Sequence, residues 1–221
     1  RLDNGIVVTN DDNSLFVKSN GRATGGSSNS FVSGPLYIES SEDVLKGLVF
    51  PIGKENKYRP IEIWVDQDNT IPTYYKAEMI NQEPVALSLE ANLGTLSPSH
   101  FWEIGQFSNN TFDDLFVFVP YQTGDFIFQP AELRLAGNDG TNNWVNLGGT
   151  ASGDRTGRIR SQSLNNFLDI ALASTEDGTS NFDPNGGGTR VGIEEIHQDT
   201  ALKPYPNPTF DCICIELTRS Y

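Results

Sequence analysis

Ile61-Glu62-Ile63-Trp64-Val65 alternates β-branched apolar residues with residues of another kind. In an extended chain every second side chain falls on the same face, so this spacing predicts a half-buried strand. The same pattern recurs along the chain. Val85, Leu87 and Leu89 alternate with Ala86 and Ser88, Leu133 and Leu135 flank Arg134, and Leu168, Ile170 and Leu172 alternate with Asp169 and Ala171. Leu115-Phe116-Val117-Phe118-Val119 is apolar on both faces and predicts a central strand, with residues 126–128 a shorter example. The set expected between two sheets is Ile61, Ile63, Val65, Val85, Leu87, Leu89, Leu115, Val117, Val119, Leu168 and Ile170.

Turn signals separate these runs. Asn138-Asp139-Gly140 between residues 133–136 and 144–147 predicts a hairpin. Pro60, Pro72, Pro84, Pro98, Pro120 and Pro130 belong at strand starts, edges or bends, because proline has no ladder donor. Helical periodicity is almost absent, apart from one possible turn around residues 41–45. The expected fold is therefore all-β: an antiparallel β-sandwich, Ig-like or jelly-roll-like, over residues 31–174. Residues 1–30 carry two short strands, Ile6-Val7-Val8 and Leu15-Phe16-Val17, around the turn Asn10-Asp11-Asp12-Asn13. They form either an N-terminal hairpin or the last rung of something larger. Residues 175–203 are a polar linker containing Gly186-Gly187-Gly188, and residues 204–221 end in an extended apolar strand.

Composition limits the function. The 221 residues hold 15 Lys and Arg against 29 Asp and Glu, a formal net charge of −14. Such a chain has no general attraction for nucleic acid or an anionic membrane. No apolar run approaches the ~20 residues of a membrane span. The chain opens on Arg1 with no signal-peptide pattern and is read as processed or as a fragment. Cys212 and Cys214 are too few for a disulfide scaffold and are read as small buried apolar residues.

Residues 203–217, Lys-Pro-Tyr-Pro-Asn-Pro-Thr-Phe-Asp-Cys-Ile-Cys-Ile-Glu-Leu, resemble the opening of the C-terminal sorting domain of type IX secretion cargo. The motif is carried by Pro204, Tyr205, Pro206, Asn207 and Pro208, ahead of an apolar strand. That domain is a small Ig-like sandwich, of which only the first strand lies in this sequence. Residues 31–174 resemble a β-rich module found near the end of many such cargo proteins, through Phe31-Val32-Ser33-Gly34-Pro35-Leu36, Val49-Phe50-Pro51-Ile52-Gly53-Lys54, Tyr58-Arg59-Pro60 and Phe101-Trp102-Glu103-Ile104. Leu133-Arg134-Leu135 and Trp144-Val145-Asn146-Leu147-Gly148-Gly149 extend the match. The resemblance implies export by the outer-membrane secretion machinery, a place on the cell surface or outside the cell, and no enzyme activity.

Residues that could carry chemistry are few. His100 and His197 have no nucleophile and base at motif spacing, so no catalytic residue is assigned. Asp66-Gln67-Asp68-Asn69 offers a weak calcium loop, with Asp66 and Asp68 supplying only part of the six to eight oxygens calcium takes. Asp11-Asp12-Asn13 has similar spacing. Otherwise no metal site and no cofactor is expected. Trp64, Tyr74 and Tyr75 are the candidate aromatic platform for a sugar ring, against the plainer role of packing. Asp199-Thr200-Ala201 resembles the short O-glycosylation acceptor of bacteria with this secretion route, which makes Thr200 a candidate. Asn109-Asn110-Thr111 has the N-glycosylation pattern, idle in a bacterial setting.

Three functional expectations follow: a non-catalytic structural or adhesive surface protein, a carbohydrate-binding module of a larger exported protein that takes a surface polysaccharide, or a subunit of a homopolymeric fibre. The fibre would use Cys212, Ile213, Cys214, Ile215 and Leu217 as a donated strand, since a lone apolar strand needs a sheet edge. That edge is its own or a neighbour's, because a linker of about 30 residues spans ~30 Å and reaches either. If donation occurs in trans, removing residues 204–221 converts an assembling protein into a monomer in size-exclusion chromatography. Identical monomers with and without the tail would refute donation in trans.

Overall fold

A computed structural model describes residues 1–184 apart from residues 20, 43, 108, 109 and 178–180. Among the described residues the fold is all-β. Its strands are β1 (Val7–Val8), β2 (Leu15–Val17), β3 (Val32–Ser33), β4 (Leu36–Ser40), β5 (Lys46–Phe50), β6 (Ile52–Lys54), β7 (Lys57–Tyr58), β8 (Ile61–Gln67) and β9 (Thr73–Ile80). They continue with β10 (Ser88–Leu89), β11 (Thr95–Leu96), β12 (Phe101–Gln106), β13 (Phe112–Tyr121), β14 (Leu133–Asn138), β15 (Asn143–Asn146), β16 (Thr150–Gly153), β17 (Gly157–Arg160) and β18 (Asp169–Ser174). Two single 3-10 turns, Thr123–Asp125 and Pro130–Glu132, follow β13.

The strands form three sheets. A five-stranded antiparallel sheet has the order β16-β17-β13-β8-β5. A nine-stranded sheet runs β10-β15-β14-β18-β12-β9-β4-β2, with β11 also on β18. A four-stranded sheet runs β1-β3-β6-β7. The alternation in β8 is observed as read: Ile61, Ile63 and Val65 are buried while Glu62, Trp64 and Asp66 are only partly so. In β13, Leu115, Val117 and Val119 are buried on the same side. They share one apolar cluster with Leu36, Tyr75, Met79, Trp102, Ile170 and Leu172 of the nine-stranded sheet. Pro120 lies just past the last residue that β13 pairs with β8, so its missing N–H breaks no bond on that side.

The nine-stranded sheet is covered on its other face as well. Leu93, Phe101, Ala136, Trp144, Ala171 and Ala173 form a second cluster there. This explains why Phe101 and Trp102 are adjacent yet both buried: they point to opposite sides. The hairpin at residues 138–142 forms as expected, β14 pairing antiparallel with β15. The Asn138 carboxamide oxygen organises its turn by accepting from the N–H groups of Gly140 and Asn142, at 3.1 and 2.9 Å.

Several expectations need correction. The N-terminal strands do not pair with each other as a hairpin. β1 lies parallel to β3 and β2 lies parallel to β4, so the segment follows the 32–38 stretch from one sheet to another. Thr9 marks the crossing, donating its N–H to Ser33 O at 3.0 Å and its hydroxyl to Pro35 O at 2.9 Å. Gly34 beside it has φ +126, and a side chain there would strike the Thr9 carbonyl. The β3–β6 and β10–β15 pairs are also parallel, so residues 31–174 are not purely antiparallel.

Val85 and Leu87 are 62% and 76% exposed rather than internal. Only Ser88–Leu89 forms a strand there, and residues 85–87 run irregularly beside it, the Val85 carbonyl accepting from the Trp144 indole at 2.9 Å. Leu89 and Leu168 are half-buried. Residues 126–128 form no strand, because Phe126 sits in the left-handed conformation (φ 55) that ends the Thr123–Asp125 turn. No helical turn occurs among the described residues 41–45. The linker does not begin at residue 175. Asn181 is buried and its side-chain oxygen accepts from the N–H groups of Phe128 and Gln129, at 2.9 and 2.7 Å, so the compact unit extends past β18.

Trp102 gives a direct test of this packing. It is fully buried, and its indole N–H donates to Arg59 O at 2.9 Å. Trp102→Phe keeps most of the apolar surface and orphans that carbonyl, so a loss of about 1–3 kcal/mol is expected in urea denaturation. Ile63→Ala should cost about 2–5 kcal/mol, and the exposed Val49→Ala within about 0.5 kcal/mol.

Candidate functional site

Strand alternation turns Tyr37 and Glu39 of β4, Tyr74, Lys76 and Glu78 of β9, and Glu103 of β12 away from the main core, onto one face of the nine-stranded sheet. The parallel strand β2 adds Phe16 at the rim. Phe16 stacks on Tyr37 with centroids 4.7 Å apart and planes at 17°, and meets Tyr74 edge-on at 5.2 Å. Phe107 meets Tyr37 edge-on at 5.4 Å. Phe16 is 48% and Phe107 69% exposed, so the cluster has an apolar outer surface.

Charged groups frame the aromatics. The Lys18 ammonium donates to the Tyr74 hydroxyl and pairs with Glu39 at 3.3 Å. The Tyr74 hydroxyl and the Ser19 N–H hold the Glu39 carboxyl down at about 2, against the opposing effect of burial. Lys76 lies 3.8 Å from Glu78 and 3.4 Å from Glu103, and Lys54 lies 3.6 Å from Glu78. Burial, reinforced by Glu103, pushes the Asp169 carboxyl up to about 6. Aromatic edges and faces flanked by fixed donors and acceptors suit a ligand with apolar C–H faces and peripheral hydroxyls.

The sequence-derived platform is only partly assembled. Tyr75 points inward and is fully buried in the core, one residue out of phase with Tyr74. Trp64 lies on the outer face of the other large sheet, against Phe118 at 5.9 Å and over Gly47, where a Cβ would sit 2.8 Å from the indole. Trp64, Tyr74 and Tyr75 therefore do not form one surface. Phe16, Tyr37 and Phe107 were not singled out, although Tyr37 and Glu39 alternate with Leu36 and Ile38 in the sequence. The outer face of β13 is apolar in sequence. Its Phe116 and Phe118 are covered by guanidinium groups, Arg160 at 4.1 Å and Arg158 at 5.0 Å from the ring centroids.

His100 is internal. Its Nδ1 is 2.7 Å from Ser99 Oγ and its ring stands edge-on to Trp102 at 4.8 Å. Burial, with Arg59 and Lys57 nearby, lowers it to about 3. Asp66 stands opposite Asp114 across β8 and β13, while Asp68 is exposed beyond the strand end. No group of three or more His, Cys, Asp or Glu fit to hold a metal occurs among the described residues. No helix among them is long and apolar enough to cross a membrane. His197, Thr200, Pro204, Tyr205, Pro206, Asn207, Pro208, Cys212, Ile213, Cys214, Ile215 and Leu217 lie outside the described residues. Comparison with family models, curated proteins and solved structures gives no match to this chain.

The lowered pKa of His100 sets a pH dependence. Between about 3 and the ordinary 6.5 the unfolded chain holds a proton on this group that the folded chain does not. Stability is therefore full above the unfolded value and is lost as pH falls through this window. Asp169, raised to about 6, acts oppositely: the folded chain holds the extra proton above the ordinary 3.8, so stability falls as pH rises toward 6. His100→Phe should flatten the acid limb of urea midpoints measured from pH 7 to 4, and Asp169→Asn should steepen it.

Proposed function

We propose that this chain is a non-catalytic module of a secreted, cell-surface or extracellular protein, exported by the type IX route, and that it acts as a structural and adhesive unit. We further infer that its two larger sheets are the layers of a β-sandwich of jelly-roll-like form. The shared core of β8 and β13 with β9, β12 and β18 supports this. The observation that carries the functional reading is the contrast between inside and outside. His100, Arg59 and Asp125 are buried and bonded to the framework, whereas the exposed chemistry gathers on one aromatic, charge-framed sheet face. A face of that kind suits a surface polysaccharide, whose hydroxyls meet Lys18, Glu39 and Lys76 while its ring C–H groups meet Phe16 and Phe107. The net charge of −14 disfavours nucleic acid as the partner. The sequence motif at residues 204–208 supports the export route.

A homopolymer joined by the strand at residues 212–217 is the second reading. The observation that favours it is β5, which ends the five-stranded sheet with one edge free of strand partners among the described residues.

Labelling of intact cells with antibody to the domain should be positive, and should be lost when the type IX machinery is disabled. On arrays of neutral and acidic polysaccharides, the wild-type protein should be retained. Tyr74→Ala with Phe107→Ala should weaken retention by about tenfold or more. Trp64→Ala should leave it unchanged. Retention indifferent to Tyr74 and Phe107 would end the polysaccharide reading, and absence from the cell surface would end the export reading.

A further inference from the structure

The N-terminal segment is stacked, not merely attached. Leu2 bridges Gly25 in parallel, Val7 and Val8 pair with Val32 and Ser33, and Leu15, Phe16 and Val17 pair with Leu36, Tyr37 and Ile38. Four of these contacts set like on like: Val7 on Val32, Leu15 on Leu36, the Phe16 ring on the Tyr37 ring and Val17 on Ile38. The 4.7 Å between the Phe16 and Tyr37 centroids equals the spacing of neighbouring strands. The column continues one layer deeper, because Val32 and Ser33 pair in parallel with Ile52 and Gly53. On that side it is closed by β7, which turns back antiparallel to β6. Residues 2–17, 25–38 and 52–53 therefore form a short parallel β-coil, closed at its downstream end.

Its upstream end is open. Among the described residues β1 and β2 have no strand on their outer side. Val7 and Thr9 donate to Phe31 O and Ser33 O, both at 3.0 Å, so alternation turns the Val8 N–H outward. Ile6, Val7, Val8 and Phe16 are all exposed on this coil, Val8 at 76%. In the column Ile52–Val32–Val7 the residue number falls with each layer. The direction of the coil thus assigns the next layer to polypeptide N-terminal to Leu2.

We propose that this open edge is a docking edge for one further parallel rung of the same kind, supplied by chain preceding Leu2. The rung is an extended turn of some 20–25 residues (Ile52 follows Val32 by 20 positions and Val32 follows Val7 by 25). It places aliphatic residues over Val7, Val8, Leu15 and Val17 and a flat side chain over Phe16. The domain is then the terminal cap of a longer β-coil, in which the added rung takes the outer surface of Phe16 and leaves Phe107 as the open ring of the aromatic face.

A tandem copy of residues 1–24 fused ahead of Arg1 in the full chain tests this, since it sets a second Val7, Val8, Leu15 and Phe16 twenty-four places upstream, within the observed spacing. Hydrogen exchange at the original Val8 amide should slow by about tenfold or more. A control copy carrying Val8→Asp, Leu15→Asp and Phe16→Asp should give no slowing. Near-ultraviolet circular dichroism of the buried tryptophans reports that the domain itself stays folded. Val8→Lys in the original rung should abolish the slowing in the tandem protein while leaving the parent's thermal midpoint unchanged. An unprotected Val8 amide in the folded tandem protein overturns the proposal. So does equal protection in the parent chain at high concentration with a doubled mass, which would make the edge a contact between copies.

Discussion

Arg59 is the residue on which the two large sheets depend together. Its guanidinium is almost fully buried and pairs with Asp125 at 2.9 Å, while its Nη1 donates to Gln122 Oε1 at 2.7 Å. Asp125 in turn accepts from the Gln122 N–H at 2.7 Å. Arg59 stands just before β8 and Asp125 just after β13, so the pair ties the entry of one strand to the exit of its neighbour. Through its carbonyl, Arg59 also holds the Trp102 indole of the nine-stranded sheet. A buried charge without its partner costs about 3–5 kcal/mol, so loss of either member destabilises far more than loss of an exposed ion pair. The same cation helps keep His100 neutral, which couples the acid sensitivity of the domain to this node.

Much of the architecture was legible because burial follows a period of two. β8, β13 and the 133–146 hairpin were readable from alternation and turn chemistry, and their inner residues are those the pattern names. The misreadings have physical causes. Val85 and Leu87 alternate correctly but lie in irregular chain ahead of β10, and alternation says nothing about whether a segment joins a sheet. Residues 6–17 look like a hairpin because a turn joins two strands. The chain is nevertheless held in parallel to residues 31–38, a pairing set by distant residues rather than by the turn. Tyr74 and Tyr75 were grouped by adjacency, although neighbours in a strand point to opposite faces.

The candidate site was less legible for a related reason. Phe16, Tyr37, Tyr74 and Phe107 come from four separate stretches and meet only once β2, β4 and β9 are side by side. No spacing in the sequence encodes that meeting. The two outer faces also differ in kind. On the five-stranded sheet Phe116 and Phe118 lie beneath guanidinium groups and Arg158 is paired with Glu62, so the aromatics are already occupied. On the nine-stranded sheet Lys18 lies over the Tyr74 ring at 4.9 Å, while Phe16 and Phe107 keep open surface.

The placement of β18 has a consequence for the time course of folding. This strand is the last of the described strands in the chain, yet it sits inside the nine-stranded sheet between β14 and β12. Until it arrives, both of those strands show bare edges and the sheet is two fragments. At synthesis rates of about 5–20 residues per second, the chain from β12 to β18 takes several seconds to emerge. Throughout that interval the N-terminal half cannot complete its native sheet. A polypeptide whose sheet stays open until β18 is made needs protection from pairing with its neighbours in the meantime.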